Sequence, residues 1–375
     1  MLTGDQALTD SIRETIRRDG PVTFTWFMEQ ALYHADFGYY SSGKCLIGRR
    51  GDYFTNVSVG ALFGRLLAVQ FAEMWEVLGR PADFVIVEQG AHHGDFARDV
   101  LAAAKERSPD FFSTMQYRIV EPFPILQERQ TETLGDFQEK VTWEKSLADC
   151  EPFCGVHFSN ELLDAMPVHL ITRQKSAGEW QERYVAESGD GFAFVARPVA
   201  DENLLRHLAK IPRPLAALYD TEVNLAALAW IGEVSRKLAR GFVLAVDYGY
   251  SRDHFYAPER TSGTLQCYAA HHTVSSPLQD IGQTDISAHL DWTSIAERAE
   301  ECGLTLTGFT DQHHFITGLL SLWRPEESER RALQTLLHPE FLGTRFQYLA
   351  LSKNAQQDQL SGFRFSREAR RALGL

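Results

Sequence analysis

Four short, mostly apolar segments, separated by stretches with helical spacing, constrain the fold of this chain more than any other feature. They are residues 84–87, 117–120, 155–159 and 242–246, which are the first, second, fourth and fifth predicted strands, and a weaker strand at 141–143 is the third. Short apolar runs of this kind are typical of parallel strands that are buried on both faces. Strands that alternate with helices indicate a doubly wound α/β sheet, which is the predicted fold class. Residues 304–309 and 346–351 are predicted to close this sheet as an antiparallel pair.

The sequence around these strands predicts four regions. Leu8, Ile12 and Ile16 recur every four residues before Gly20, which indicates a first amphipathic helix. The stretch between the fourth and fifth strands is too long for one crossover and predicts a lid or substrate subdomain. The predicted regions are a helical lead-in at 1–80, an α/β core at 81–170 and 240–352, an inserted subdomain at 171–239, and a loose polar tail at 353–375.

Composition excludes several classes of protein. The 375 residues carry 37 basic and 50 acidic side chains, a net charge of −13. This charge argues against a dedicated nucleic-acid binder and against an anionic membrane surface as the main partner. Five cysteines without paired spacing indicate neither a disulfide framework nor a metal site. Because the sequence also has no apolar run of about 20 residues and no presequence pattern, we expect a cytoplasmic protein.

The first and second strands end in residues that suit a ligand. Glu88 is followed by Gly90, His92 and Gly94, and the second strand ends in Glu121. Ligands of open α/β sheets bind at the carboxyl ends of strands, where an acid can accept hydrogen bonds from both ribose hydroxyls. The pattern G-x-G-x-x-G is missing, because His92 stands where a second glycine would be. The hypothesis is an adenosine-containing cofactor without a pyrophosphate, such as S-adenosylmethionine (SAM); a turn without a ligand is the alternative.

The fourth and fifth strands also end in polar residues. Asn160, Glu161 and Asp164 follow the fourth strand, and Asp247 and Tyr248 end the fifth. Glu161 can accept hydrogen bonds from a cationic nucleophile or take its proton, and Asp164 would share a helix face with it if a turn begins there. We therefore predict that Glu161 and Asp164 are catalytic. The alternatives are that Asn160 and Asp164 cap a turn and that Asp247 and Tyr248 form one.

Several ordered motifs occur along residues 20–320. They include Phe27-Met28, Gly38-Tyr39-Tyr40, Gly51-Asp52-Tyr53-Phe54-Thr55, Phe63-Gly64, Glu121-Pro122, Asp247-Tyr248-Gly249-Tyr250, Gly263-Thr264-Leu265 and Asp285-Ile286-Ser287-Ala288-His289. The most specific is Asn160-Glu161-Leu162-Leu163-Asp164-Ala165-Met166-Pro167-Val168. Together they resemble the MidA-like SAM-dependent methyltransferases, which include a mitochondrial complex I assembly factor that methylates a protein arginine.

The resemblance implies a seven-stranded, Rossmann-like methyltransferase sheet with an inserted subdomain, and SAM as the cofactor. It also implies that the loop from Gly51 to Thr55 covers the cofactor from the amino-terminal side. The predicted cofactor-binding residues are Asp52, Tyr53, Thr55, Glu88, Gly90, His92, Gly94, Glu121 and Asn160. The residues predicted to bind the methyl acceptor are Tyr40, Asp247 and Tyr248.

The predicted function is methyl transfer from SAM to a protein side chain, which the resemblance implies is an arginine. A guanidinium is always charged, so a carboxylate such as Glu161 would orient it. Two departures from the family leave alternatives open: His92 replaces a glycine, and Val57 and Ser58 replace a proline and an acid. The changed loop motivates a small-molecule hydroxyl or amine as acceptor, and His92 motivates a non-catalytic assembly protein.

Overall fold

The computed structural model describes residues 5–43, 56–174, 179–212, 218–269, 272–355 and 359–375. The helices are α1 Gln6–Asp19, α2 Phe24–Tyr33, α3 Leu62–Val77, α4 Asp95–Arg107, α5 Pro109–Thr114, α6 Pro124–Thr133, α7 Glu202–Leu208, α8 Leu225–Lys237, α9 Arg252–Phe255, α10 Trp292–Glu301, α11 Gln312–Leu319, α12 Arg330–Leu337 and α13 Ala369–Leu373. The strands are β1 Val22–Thr23, β2 Phe84–Gln89, β3 Gln116–Val120, β4 Val141–Glu144, β5 Phe153–Asn160, β6 His169–Gln174, β7 Trp180–Ser188, β8 Gly191–Pro198, β9 Leu218–Val223, β10 Leu238–Tyr250, β11 Gln266–Ala269, β12 His272–Thr273, β13 Asp285–Ser287, β14 Leu290–Asp291, β15 Thr305–Asp311 and β16 Phe346–Lys353.

The chain forms two compact units, each built from segments that are distant in sequence. The first unit contains Met1–Phe54, Leu163–Leu228 and Arg252–Asp291. The second contains Thr55–Leu162, Ala229–Ser251 and Trp292–Leu375. These boundaries differ from the predicted regions, because the amino-terminal segment joins the insertion instead of forming a separate lead-in. The lid role of residues 171–239 stays a prediction.

The first unit is held together by antiparallel strand pairs and its own apolar core. Its larger sheet has the order β1-β7-β6-β9, with β8 beside β7, and its smaller sheet has the order β12-β11-β13. In β1, Val22 pairs with Val185 of β7, which ties the amino-terminal segment to the insertion. Leu8 of α1, Phe27 of α2 and Leu170 of β6 are buried in the same apolar cluster. This long-range pairing explains why the first part of the predicted helical lead-in belongs to a larger unit, whereas α3 is part of the second unit.

The second unit is built on one mainly parallel sheet with the strand order β15-β16-β10-β5-β2-β3-β4. Strands β10, β5, β2, β3 and β4 run parallel, and β16 runs antiparallel between β10 and β15. These pairings confirm the predicted α/β class and the predicted antiparallel pair. From β2 the chain continues to β3 and β4 on one side and then to β5 and β10 on the other. Open α/β sheets bind ligands at such a reversal of strand order.

Two glycines lie side by side at the centre of this sheet. Gly155 of β5 pairs with Val85 of β2 on one side and with Gly241 of β10 on the other. Their φ angles are +151° and +136°, which side chains with a Cβ rarely adopt. A Cβ on Gly155 would overlap the carbonyl oxygen of Val85, and a Cβ on Gly241 would overlap the carbonyl oxygen of Gly155. The close approach of three strands therefore depends on both glycines.

A fully buried histidine lies in the middle of β5. His157 pairs with Val87 and Val243, and its ring packs edge-on against Trp230 at a centroid distance of 5.4 Å. Neither ring nitrogen has a hydrogen-bond partner among the described residues. Burial lowers the pKa of His157 to about 3. The folded protein therefore keeps this imidazole neutral at pH values where an unfolded chain would protonate it.

We expect His157 to make the protein less stable in mild acid. Its pKa is about 3 in the folded state and 6.5, the ordinary value for histidine, in the unfolded chain, so stability is lost as the pH falls below 6.5. The loss between pH 7 and pH 5 is about 2 kcal/mol. Urea unfolding at both pH values should show a smaller loss for His157→Phe and an unchanged loss for His272→Phe, at an exposed position of β12. An equal loss in the wild type and His157→Phe would contradict this account.

The carboxyl-terminal segment packs against the second unit instead of forming a loose tail. Leu360, Phe363 and Leu373 are buried, and the Thr293 hydroxyl donates a hydrogen bond to the carbonyl oxygen of Leu373. The polar composition concealed these three anchors. Across the described parts of the chain, every helix is too short or too polar to cross a membrane.

Candidate functional site

Residues that end neighbouring parallel strands lie together at one edge of the second unit's sheet. Glu121, Gly90 and Asn160 are side by side, because they continue β3, β2 and β5 from paired positions. Asp247 is next in line, because the preceding Val246 of β10 pairs with Asn160. This edge is the carboxyl end of the parallel strands, on both sides of the reversal in strand order. The structure thus brings together most of the residues that were predicted for this cleft.

The turn after β2 has an unusual main-chain conformation. Gly90 and Gly94 have φ angles of +85° and +83°, and His92 between them has a φ of +47°. Gly94 directly precedes α4, so the turn delivers the chain to the amino terminus of that helix. A positive φ is uncommon for a residue with a side chain. The conformation costs free energy, so it persists only where the surrounding structure holds the main chain in it. The turn therefore links the end of β2 to the start of α4 through three alternate residues with positive φ, two of which are glycines.

The His92 side chain is enclosed by other cations or potential cations. Its ring stacks on His93 at a centroid distance of 3.7 Å, and Arg129 lies 3.1 Å from His93 Nε2. Burial first, and then the charges of His93 and Arg129, lower the pKa of His92 to about 3. The neutral ring leaves its Nε2 buried without a hydrogen-bond partner among the described residues. Such an atom suits a polar group of a ligand.

Glu121 is held in place by hydrogen bonds to both of its carboxylate oxygens. The Phe123 amide donates to Oε1 at 3.1 Å, and Gln130 Nε2 donates to Oε2 at 3.0 Å. Burial raises the pKa of Glu121 more than these two hydrogen bonds lower it, and the resulting pKa is about 7. Each oxygen keeps a lone pair, since a carboxylate can accept about four hydrogen bonds. The group can therefore accept hydrogen bonds from two adjacent hydroxyls.

Glu88 is the second buried acid near this turn. Its Oε2 accepts a hydrogen bond from the Tyr117 hydroxyl at 2.7 Å, and the side chain is 4% exposed. Burial raises the pKa of Glu88 more than the hydrogen bond from Tyr117 lowers it, and the resulting pKa is about 7. Its role in cofactor binding stays a prediction, because the contact seen here joins two strands of the sheet.

Asn160 and Glu161 form a fixed pair at the end of β5. Asn160 Nδ2 donates to Glu161 Oε1 at 2.8 Å, and Asn160 Oδ1 accepts a hydrogen bond from Asn56 Nδ2 at 3.2 Å. Glu161 has a φ of +52°, and its amide donates to the carbonyl oxygen of Val246 at 2.9 Å. Its charge also helps to raise the pKa of the buried Tyr348 hydroxyl, after burial itself. A carboxylate is thus held in a strained conformation at the sheet edge.

The predicted helical turn that would align Glu161 with Asp164 does not form within the described residues 161–167. The segment consists of turns and bends, because the left-handed conformation of Glu161 cannot begin a right-handed helix. Asp164 belongs to the first unit, where its carbonyl oxygen accepts a hydrogen bond from the Ala288 amide. The catalytic role of Asp164 stays a prediction without this alignment.

Asp247 and Tyr248 lie inside a strand, not in a turn after it. β10 continues to Tyr250, and Asp247 and Tyr248 pair with Gln347 and Phe346 of β16. The Asp247 carboxylate accepts a hydrogen bond from the Tyr248 amide at 2.8 Å, and it is 1% exposed. The antiparallel partner extends β10 beyond the point at which its apolar run ends. Contact of either side chain with an acceptor stays a prediction.

Tyr40 belongs to a buried group of tyrosines and acids in the first unit. Its hydroxyl donates to Asp285 Oδ1 at 2.6 Å, and its ring stacks on Tyr33 at 5.6 Å. The Tyr33 hydroxyl donates to the carbonyl oxygen of Ala165. Burial raises the pKa of Tyr33, and the charges of Asp164 and Asp285 raise it further. Two predicted site residues, Tyr40 and Asp164, therefore lie near the same tyrosine.

Three predicted cofactor residues, Asp52, Tyr53 and Thr55, lie outside the described residues. The structure adds Gln130 and Trp143, which the sequence analysis missed. Gln130 is fully buried and contacts both the turn after β2 and Glu121, and Trp143 Nε1 donates to Gln130 Oε1 at 2.9 Å. A signal was available: Gln130 is four residues after the buried Leu126, so both lie on the inner face of α6.

Residues 66–310 match the profile of the Methyltransf_28 family of S-adenosyl-L-methionine-dependent methyltransferases. The chain is 27% identical to the mitochondrial protein arginine methyltransferase NDUFAF7 homolog of Drosophila melanogaster, over 93% of this chain and 85% of that protein. It is 25% identical to the mitochondrial protein arginine methyltransferase NDUFAF7 of Homo sapiens, over 95% of this chain and 85% of that protein. The cytoplasmic location predicted from the sequence is wrong, since these relatives are named as mitochondrial proteins.

Two crystal structures from Burkholderia thailandensis are similar over nearly the whole chain. One, bound to S-adenosyl-homocysteine, has a TM-score of 0.86 and 31% identity, and covers 96% of this chain and 95% of its own. The other has a TM-score of 0.84 and 30% identity with the same coverage. These similarities confirm the predicted fold class and SAM as the predicted cofactor.

Proposed function

Because the chain belongs to this family of SAM-dependent methyltransferases, we propose that it methylates an arginine side chain of a protein, with Glu161 as the carboxylate that receives the guanidinium. The placement of Glu161 at the end of β5 carries the proposal. Bound SAM supplies a methyl group on a positively charged sulfur. The chain's own residues must hold the cofactor, orient the acceptor nitrogen and keep the two aligned.

The residues around the turn after β2 fit the cofactor. The glycine-containing turn leaves room for close approach to the main chain, and the buried His92 Nε2 lacks a partner among the described residues. Glu121 would accept hydrogen bonds from the two ribose hydroxyls, because both of its oxygens are positioned and each keeps a free lone pair. Asn160 lies on the side of Gly90 opposite to Glu121, because the preceding Ser159 of β5 pairs with Gln89 of β2.

Three properties of Glu161 support its role toward a guanidinium. The hydrogen bond from Asn160 restricts rotation of the Glu161 carboxylate. The positive φ of Glu161 is a strained conformation, and such conformations occur most often at functional sites. A carboxylate binds a guanidinium through charge-assisted hydrogen bonds, which localise the positive charge away from the attacking nitrogen. The two relatives described above are named protein arginine methyltransferases, which also supports arginine as the acceptor.

The experiment is to incubate the purified protein with SAM carrying a labelled methyl group and with heat-treated cell extract. Labelled protein is hydrolysed, and its methylated amino acids are separated and identified by mass spectrometry. We expect labelled methylarginine, whose formation stops when excess S-adenosyl-homocysteine is added. Label in methyllysine or in another amino acid would refute arginine as the acceptor.

A small-molecule acceptor is the second candidate. The departure from the family at Val57 and Ser58, which form a short 3₁₀ turn with Val59, is the observation that favours it. The same incubation separates the two candidates, because small molecules remain in solution when protein is precipitated. Label found only in the soluble fraction would replace the protein acceptor with a metabolite.

A further inference from the structure

Gln130 is a buried amide that joins three parts of the cofactor site. Its Nε2 donates to the carbonyl oxygen of His92 at 2.8 Å and to Glu121 Oε2 at 3.0 Å. Its Oε1 accepts a hydrogen bond from Trp143 Nε1 at 2.9 Å. The side chain is 0% exposed, so water cannot replace these partners. One residue of α6 thus connects the turn after β2, the acid after β3 and a ring of β4.

The partners allow only one orientation of the Gln130 amide. His92 O and the Glu121 carboxylate can only accept hydrogen bonds, whereas the Trp143 ring nitrogen can only donate one. A rotated amide would place its oxygen against two acceptors and its NH2 group against a donor. Gln130 therefore fixes the Glu121 carboxylate in position and direction, with both amide hydrogens and the amide oxygen in use.

The main chain of α6 also packs closely against the turn. A Cβ on Gly94 would lie 3.4 Å from the Cα of Gln130, so the two main chains are in near contact. The His92 carbonyl that Gln130 holds belongs to the residue with the positive φ of +47°. A hydrogen bond at this point opposes relaxation of the strained turn. Close packing and the hydrogen bond therefore both hold the turn after β2 in its strained conformation.

We propose that Gln130 is a positioning residue that sets the affinity for the cofactor by holding Glu121 and the turn after β2 in their ligand-binding arrangement. This inference rests on the proposed function, in which Glu121 binds the ribose hydroxyls. Preorganised groups bind more tightly because a ligand need not order them. Gln130 acts through Glu121, so its removal weakens the interaction that depends on the ribose hydroxyls.

The test is calorimetric titration of the full chain with S-adenosyl-homocysteine. Gln130→Met keeps an unbranched side chain of similar length and removes all three hydrogen bonds, and we expect about tenfold weaker binding. Trp143→Phe removes only the donor to Gln130 Oε1 and should weaken binding about threefold. Gln70→Met is the matched control, because Gln70 is equally buried and bonds instead to Glu73 and Gly362. Its binding should equal that of the wild type.

A second ligand separates positioning from general destabilisation. The wild type should bind adenosine more tightly than 2′,3′-dideoxyadenosine, which lacks both hydroxyls, and Gln130→Met should lose most of that difference. In combination with Glu121→Gln, Gln130→Met should add less than about threefold, because both changes remove one interaction. Equal weakening for both nucleosides, or full additivity in the double variant, would overturn the positioning role.

The proposed function and this inference fail in different ways. Unchanged affinity in Glu121→Gln would remove the ribose role of Glu121 and with it the basis of the proposal. Weaker binding in Glu121→Gln with unchanged binding in both Gln130→Met and Trp143→Phe would overturn the role of Gln130 alone. If Gln130→Met does not fold, Trp143→Phe still decides the matter by its adenosine to dideoxyadenosine ratio.

Discussion

Replacing Gly155 with alanine is expected to prevent the protein from folding. The new methyl group would overlap the carbonyl oxygen of Val85 in the neighbouring strand, and the main chain would keep a φ of +151° that alanine rarely adopts. The sheet cannot move apart there, since Gly241 lies equally close on the other side. A cost well above about 4 kcal/mol would remove most of the stability of a protein at the lower end of the typical range of about 5–15 kcal/mol.

The measurement is the yield of soluble protein, followed by thermal unfolding monitored by circular dichroism. Gly303→Ala is the control: its φ of +84° is also positive, but the added Cβ would have no atom within 4 Å. It should cost about 1–2 kcal/mol and leave a folded protein. A Gly155→Ala protein that unfolds at the wild-type temperature would show that the strands are less closely packed than described.

Replacing Glu161 with glutamine is expected to reduce methyl transfer at least 100-fold. The glutamine side chain has the same length as that of glutamate and can still accept the hydrogen bond from Asn160. The main effect of the substitution is therefore the loss of the negative charge. Removing one preorganised group that stabilises charge in the transition state typically costs about 10²–10³ in turnover. The readout is the initial rate of label transfer to arginine at saturating SAM.

Cofactor binding should distinguish this loss from damage to the fold. Titration of Glu161→Gln with S-adenosyl-homocysteine should give an affinity within about twofold of the wild type, since the proposed cofactor contacts are made by other residues. Glu301→Gln, on the exposed surface of α10, should transfer methyl groups at the normal rate. A Glu161→Gln rate within a few fold of the wild type would remove Glu161 from the proposed mechanism.

The central strands could be predicted because burial on both faces leaves a direct mark in the sequence. β2, β3, β5 and β10 each contain a predicted apolar segment, and the pairing of β15 with β16 was predicted too. The membership of the first unit could not be predicted. β1 has only two residues, and Val22 pairs with Val185, more than 160 positions away. Pairing at that distance depends on tertiary packing, which periodicity does not record.

The site was predictable where it follows from topology. Glu121, Gly90 and Asn160 lie together because their parallel strands end at the same edge, and the register places Asp247 next to them although β10 continues to Tyr250. The side-chain hydrogen bonds of the site do not follow from the order and direction of the strands. Gln130 is polar and lies on a helix, a combination that usually indicates a solvent-facing residue. Its spacing from Leu126 places it on the inner face of α6, but its three partners could not be predicted from the sequence. The conformation of Glu161 was also missed, since a positive φ is unexpected for glutamate.

The position of β16 has a consequence for synthesis on the ribosome. Among the strands of the described residues β16 is made last, yet it lies inside the sheet between β10 and β15. Until residue 353 has emerged, the nascent chain exposes an edge of β10 whose amide and carbonyl groups await this partner. Open edges of apolar strands associate readily with other chains. A chain that stops before residue 346 is therefore expected to aggregate, so the second unit is protected from self-association only after β16 has been made.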